Sequence, residues 1–553
     1  MIHSVKNYFN PKLFYMKKIF YFGIITAITM VSGCTKNFES INTDPTRSSP
    51  ASFDANYFLS NSQTTYKESI SGYSGPILFQ SGWVQILAST SSGGANYYTN
   101  MDKYTQSTNT NNYVQNSWNN CYRAASLANE IVNNFKDDPT KVNVVSIAII
   151  MKVMNIQYAT DLYGDCPYSE ALLGAEGVSL PLYDKQQAIY TGLLAELDGA
   201  LTKLDPAKAK PTADIFSTAG DIALWKKTGY SFMLRMAMRL TKKDANTAKS
   251  WAEKAYAGGT LASPADDVFA KQDDANGYSN ANARALITPA DYYEVRWSKT
   301  LIDYLKATND PRLSAVAEVP QAGLAANQNS SLAGDNTAAN QLGLPNGWDL
   351  NGGATDISNS PGYPGGTGTG GDVCPIGKYS RPRTSVYTSR NGPLSIITYA
   401  ESELLLAEAA ARGWNVGASA SVHYSRGVSA ALQALKNISP NATISAATAD
   451  AYAAANPLDI STLNASLKMI NEQYWATTGT LMNFTEAWSN WRRSGYPVLT
   501  PVVYTGNFSG GKIPRRQPYP TNEGSVNSAN YQTGVAGLSN GDTWDSRVWW
   551  DSN

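Results

Sequence analysis

From Val144 the apolar positions Ile147, Ala148, Met151, Met154 and Tyr158 recur at steps of three and four, the spacing of a helix with one buried face. Tyr230, Met233, Leu234, Ala237 and Leu240 repeat it, with Arg235 and Arg239 stacked on another face. The same rhythm predicts helices at 117–135, 185–204, 247–257, 396–412, 418–435, 461–475 and 481–493. Alternating strand patterns are sparse, so any sheet should be small.

The fold expected is mostly α with little sheet. Helices adjacent in sequence should pair, and Ala-rich runs such as Ala407–Ala411 allow close approach of their axes. The pairs are similar to tetratricopeptide units, although no strict repeat of about 34 residues is present. Periodicity fades between about residues 262 and 380, where Asn, Gly, Ser and Ala dominate, and again from about 496 to 553. Unpatterned stretches of this length are uncommon in compact chains and usually functional or disordered. They read as long loops on a helical scaffold, forming its ligand-binding face, rather than as further domains.

The amino terminus changes the picture. Lys17 and Lys18 precede an apolar run from Ile19 to Val31, followed by Val31-Ser32-Gly33-Cys34. A basic n-region, a short apolar core and small residues before the cut describe a secretory signal, and the run is too short to span a bilayer. The ending resembles a bacterial lipobox, which implies cleavage before Cys34 and acylation of its thiol, palmitate being one such chain. An ordinary secretory signal that happens to end at a cysteine is the alternative. Residues 1–33 thus read as signal peptide and 34–553 as one mature domain. Met16 suits a signal start better than Met1, so residues 1–15 read as lying ahead of the true start. Thr35, rather than Asp, follows the cysteine, which by the usual bacterial sorting rule permits transfer to the outer membrane.

Composition narrows the function. The chain has 553 residues with 44 basic and 44 acidic groups. The signal region holds four lysines and no acid, leaving 40 basic against 44 acidic groups, a net charge of −4 in the mature chain. Charged residues make up only 16%, and 33 tyrosines help carry the polar load. A low-charge surface with no basic run offers nucleic acid no phosphate-neutralising patch. His3 and His423 are the only histidines, and only His423 is in the mature part. A three-histidine zinc site is therefore excluded, and His423, inside an Ala-rich helical pattern, reads as structural. There is no C-x-x-C, G-x-S-x-G, Walker A or strand-linked G-x-G-x-x-G motif, and no EF-hand spacing. The glycine run Gly365–Gly371 reads as a flexible loop. Cys121, Cys166 and Cys374 remain beside Cys34, an odd number whose pairing the sequence leaves open. No cofactor, metal site or catalytic residue is indicated.

Five stretches together resemble the SusD/RagB-like nutrient-binding lipoproteins. They are Phe38-Glu39-Ser40-Ile41-Asn42-Thr43-Asp44-Pro45; Asp161-Leu162-Tyr163-Gly164-Asp165-Cys166-Pro167-Tyr168-Ser169-Glu170-Ala171; Asp310-Pro311-Arg312-Leu313; Glu403 through Gly413; and Glu486-Ala487-Trp488 through Asn490-Trp491-Arg492-Arg493-Ser494-Gly495-Tyr496-Pro497 and Ile513-Pro514-Arg515-Arg516 to Val548-Trp549-Trp550-Asp551. Cys166 departs from the pattern, which more often has an aliphatic residue there. The resemblance implies a surface-exposed outer-membrane lipoprotein lying as a lid on a SusC-like TonB-dependent barrel. Such a protein captures oligosaccharides, or in some members peptides, and passes them on without chemistry. A secreted hydrolase and a structural surface lipoprotein are the competing classes.

Most of the signature residues have structural explanations. Asp161 and Asp165 could be a paired-carboxylate glycosidase site, but at a helix end they read as acceptors for turn amides. Arg492 and Arg493 could grip an acidic ligand, but at a helix end they are expected to pair with Glu486 or to pack. Glu401, Glu403 and Glu408 are expected to form a solvated face with one internal pair.

A sugar site wants flat aromatic platforms edged by amides and carboxylates. Two loop segments offer them: Gly82-Trp83-Val84-Gln85 with Asn96-Tyr97-Tyr98 and Tyr104, and Asn346-Gly347-Trp348-Asp349 with Pro361-Gly362-Tyr363. The candidate ligand-binding residues are Trp83, Tyr97, Tyr98, Trp348 and Tyr363. Packing the loops down is the alternative; it weighs more for Trp83 and stays level for Trp348 and Tyr363. Trp118, Trp225, Trp488 and Trp491 fall on helices and read as core.

Overall fold

Short polar side chains start most of the long helices. In the computed structural model, residues 53–90, 98, 102–288, 295–365 and 378–552 are described, and Ala55 onward forms one unit. The main helices are α1 (Ala55–Ser69), α2 (Thr110–Phe135), α3 (Val142–Tyr163), α4 (Gln186–Lys203), α5 (Ile222–Arg239), α6 (Ala245–Gly258), α7 (Lys299–Ala307), α8 (Tyr399–Ala411), α9 (Ala420–Ala434), α10 (Ala446–Ala455), α11 (Leu463–Thr480) and α12 (Phe484–Ser494). Asp221 caps α5, Asp244 α6, Ser298 α7, Thr398 α8, Ser419 α9, Ser445 α10 and Thr462 α11, each side chain accepting from a first-turn amide. Each such cap is worth about 1 kcal/mol.

Sequence neighbours pack as pairs: α2 on α3, α3 on α4, α5 on α6, α8 on α9, α9 on α10 and α11 on α12. This is the mostly α, tetratricopeptide-like architecture expected. The contact of α8 with α9 is close because Gly427 faces Leu404; a Cβ there would lie 2.9 Å from Leu404 Cγ. Strands are short: β1 (Leu87–Ser89), β2 (Val268–Ala270), β3 (Val295–Trp297) and β4 (Leu394–Ile397), with two-residue ladders elsewhere. β1 runs antiparallel to β3 with Leu87 opposite Trp297, and β2 runs antiparallel to β4.

α3 is apolar on every side and buried over most of its length. It is long and apolar enough to cross a bilayer, but its burial makes it the core helix around which its neighbours pack. The predicted helix 396–412 begins later: Ile396 and Ile397 belong to β4, and Thr398 opens α8. The stretch expected as loops at 262–380 carries β2, β3, α7 and several short helical turns.

The signature residues meet in a buried ionic network. Arg239 binds Asp161 (3.2 Å) and Glu486, and Arg235 binds Glu401 (2.6 Å), so α3, α5, α8 and α12 are joined through charge. Asp161 also accepts from Tyr190 (2.5 Å) and from Trp550 Nε1 (2.9 Å). It holds side chains, not the turn amides expected. Asp165 does bind an amide, that of Gln186 (2.9 Å), and Lys185 (2.8 Å). Arg493 pairs with Glu408 (2.6 and 2.8 Å), not with Glu486. Arg492 packs, its guanidinium 3.5 Å from the Trp488 ring centre and 4.5 Å from that of Trp550.

The glutamate face of α8 is buried, not solvated: Glu401, Glu403 and Glu408 each have a cationic or imidazole partner. The turn Asp310-Pro311-Arg312 joins the end of α7 to α11. There Asp310 and Arg312, both fully buried, pair, and Arg312 reaches Gln473 (2.6 Å). His423 is buried between Glu403 and the Val416 carbonyl. Cys121 and Cys166 are buried free thiols, and burial foremost pushes Cys166 up to about 12. Cys374 lies outside the described residues, as does most of the glycine run 365–371.

Candidate ligand-binding groove

The β1–β3 pair brings three loops together. Leu344 runs beside Ser298, its amide bonded to Trp297 O (2.9 Å), while Lys299 N bonds to Leu344 O (2.8 Å). Ser298 caps α7 through Thr300 N (3.1 Å), and its hydroxyl also meets Asn346 Oδ1 (2.5 Å). One serine thus fixes both the first turn of α7 and the loop that follows Leu344.

Between these elements lies an open groove of about 450 Å³. α7 supplies Lys299, Thr300 and Asp303, the 345–355 loop supplies Asn346 and Trp348, and Val502 and Val503 form a further wall that adjoins that loop at Gly347. Gln85, in the left-handed region (φ 53), lies at the base. A non-glycine residue there costs about 1–3 kcal/mol and persists only where its surroundings hold it. Here Gln85 Oε1 accepts from Thr300 Oγ1 (2.7 Å), and its amide donates to Thr500 O (2.6 Å).

Most polar groups beneath the groove are engaged in the same way. Asn346 Nδ2 donates to Leu87 O (3.0 Å) and Asp102 Oδ2 (3.2 Å). Asp349 accepts from Thr355 (2.7 Å) and Tyr504 (2.6 Å). Burial raises the Asp349 carboxyl, but donors from Tyr504, Asn351 and Thr355 outweigh it and hold it below its ordinary range. The charges lining the groove are Lys299 and Asp303, paired one turn apart and half exposed. The walls are apolar: Pro345, Trp348, Ala354, Pro501, Val502 and Val503.

Trp348 is half-buried, its back against the cluster of Ala88, Leu344, Ile357 and Tyr379. Tyr363 packs on the same cluster but does not line the groove. Trp83 is fully buried, its ring centre 5.5 Å from Phe79, 5.2 Å from Trp488 and 5.7 Å from Trp544. Tyr98 is buried too, donating to Ala285 O (3.1 Å). Neither lines the groove, and Tyr97 lies outside the described residues. Sequence reasoning missed Lys299, Asp303, Val502 and Val503. Their one visible signal was the four-residue spacing of an opposite-charge pair, which is common on solvated helices.

A family model described as SusD-like, starch-binding and associating with the outer membrane, matches residues 50–520. The chain belongs to the SusD-like family. A solved structure named a chitin-binding protein is 30% identical to this SusD-like chain, with TM-score 0.74 over 90% of it and 100% of that chain. Two more share the fold. A SusD-like structure titled Bacteroidetes AC2a is 24% identical with TM-score 0.72, covering 91% of this chain and 100% of its own. A chitin-binding SusD homologue from Flavobacterium johnsoniae is 22% identical with TM-score 0.68, covering 90% and 99%. Among curated proteins none matched.

Proposed function

We propose that this SusD-like chain is a nutrient-binding lipoprotein, anchored by acyl chains on Cys34 at the outer face of the outer membrane. It captures an oligosaccharide in the groove beside Trp348 and delivers it, unaltered, to a SusC-like TonB-dependent barrel. The observation that carries the reading is the partly exposed Trp348 ring in an apolar-walled groove with an ion pair on its lining. Sugar rings offer apolar C–H faces to such a platform and hydroxyls to such a pair. Chitin fragments are the first ligand to test, since the 30% identical structure bears a chitin-binding name. A hydrolase would need a free acid or base at the groove, whereas Asp303, the acid that lines it, is paired with Lys299.

The test is calorimetry with chitohexaose, maltohexaose and a peptide mixture. Wild-type protein is expected to bind a glycan, and Trp348→Ala to weaken it by about 1–3 kcal/mol, the scale of ring stacking on aromatic side chains. Binding of peptides alone would move the chain to the peptide-capturing members. Unchanged affinity in the variant would remove Trp348 from the site.

A further inference from the structure

Asp102, Lys103 and Tyr104 lie behind the groove, and all three are buried. We infer that these consecutive residues are a clamp that sets the spacing of the two groove walls, with Asp102 and Tyr104 as positioning residues. The inference rests on the reading of the groove as a binding site.

Asp102 and Lys103 form an ion pair (3.1 Å) in which both side chains have 0% exposure. Lys103 Nζ also donates to Ser89 O (2.6 Å), which ties the pair to β1. A buried pair of this kind adds little net stability over apolar packing, so its retention asks for another use. The anion's second oxygen supplies one. Asp102 Oδ2 accepts from the Gly347 amide (3.0 Å) and from Asn346 Nδ2 (3.2 Å), the two residues ahead of Trp348. Bonds to an ionised acceptor are roughly twice as strong as neutral ones, so the Trp348 wall is hung on a charge.

The wall around Val502 is held by the same segment. The Tyr104 hydroxyl accepts from Val502 N (3.3 Å), and its carbonyl accepts from Phe508 N (2.7 Å). Tyr104 sits in the left-handed region (φ 57), which turns its carbonyl and ring toward that wall. The walls meet at Gly347 (φ 88), where a Cβ would lie 2.5 Å from Val502 Cγ1. Small displacements of such supports change the geometry a ligand sees.

The test uses full-length protein without ligand. Hydrogen exchange read by mass spectrometry is compared at 345–350, at 500–508 and in α3 for wild type, Asp102→Asn and Tyr104→Phe. Asp102→Asn is expected to speed exchange at 345–350 about tenfold, and Tyr104→Phe at 500–508 about threefold, with α3 unchanged in both. A role in stability alone would move α3 with the walls, and that outcome, or no change in either wall, overturns the clamp. If Asp102→Asn does not fold, Tyr104→Phe, which removes a single hydroxyl, decides on its own. Affinity for chitohexaose is then expected to fall about tenfold in Asp102→Asn. Wild-type protein that binds no glycan would sink the binding reading while the exchange data still judge the clamp.

Discussion

Two tryptophans in similar loop-like sequence end in opposite places. Trp83 sits among rings from the far end of the chain, Trp488 and Trp544, whereas Trp348 has one side on a small cluster and the other on the groove. Trp83→Ala is therefore expected to cost about 3–5 kcal/mol of unfolding free energy in urea titrations. Trp348→Ala should cost less, about 1–2 kcal/mol, since its ring is only partly buried. Equal losses would show that Trp348 is as much a core residue as Trp83. Local context could not separate the two, because Trp488 and Trp544, which help bury Trp83, are more than 400 residues away in sequence. The glutamates of α8 were misread for the same reason. Glu401 and Glu408 find Arg235 and Arg493 on other helices, and a pattern along one helix shows charge but not the cation that waits across the interface.

At the scale of elements, long helices with strong periodicity were legible and short or polar ones were not. α3, α5, α9 and α11 appear close to where the spacing of apolar residues places them. α1 was missed because its sequence is largely polar, and α7 because, although Leu301, Ile302 and Leu305 follow helical spacing, it spans only nine residues. The start of α8 was misplaced because the apolar pair Ile396–Ile397 looks the same in a strand as in a helix.

That start carries a pH-dependent group. Asp267 accepts from Tyr399 N (2.7 Å), the first residue of α8, and from Asn437 (3.1 Å). Burial, opposed in part by the Tyr399 amide, pushes its carboxyl up to about 8. The folded protein thus holds a proton that the unfolded chain releases near pH 4, so stability should fall as pH rises from about 4 to about 8. Asp267→Asn is expected to remove that slope, at most about 1.4 kcal/mol per pH unit. Denaturant titrations at pH 5, 6 and 7 measure it, and parallel profiles for the two proteins would show that Asp267 is ionised in the fold.

For the whole molecule, family signatures were legible because they are the buried scaffold itself: Asp161, Arg312, Glu408, Glu486 and Arg493 are all network residues. The groove was legible only in part. Trp348 and its Asn346-Gly347 neighbours stood out, but the wall around Val502 and the clamp at Asp102 depend on loops that meet only in three dimensions. The anchor can be tested on the whole chain: Cys34→Ala is expected to leave the protein in the aqueous phase of a detergent partition, with glycan affinity unchanged. Recovery of that variant in the detergent phase would count against acyl anchoring.

The amides under the groove already have partners, Gln85 with Thr300 and Thr500, Asn346 with Leu87 and Asp102. A guest resting there loses few strong bonds on leaving, so residence should be brief and turnover of the guest rapid. If the chain hands its guest on, as proposed, quick release matters as much as grip.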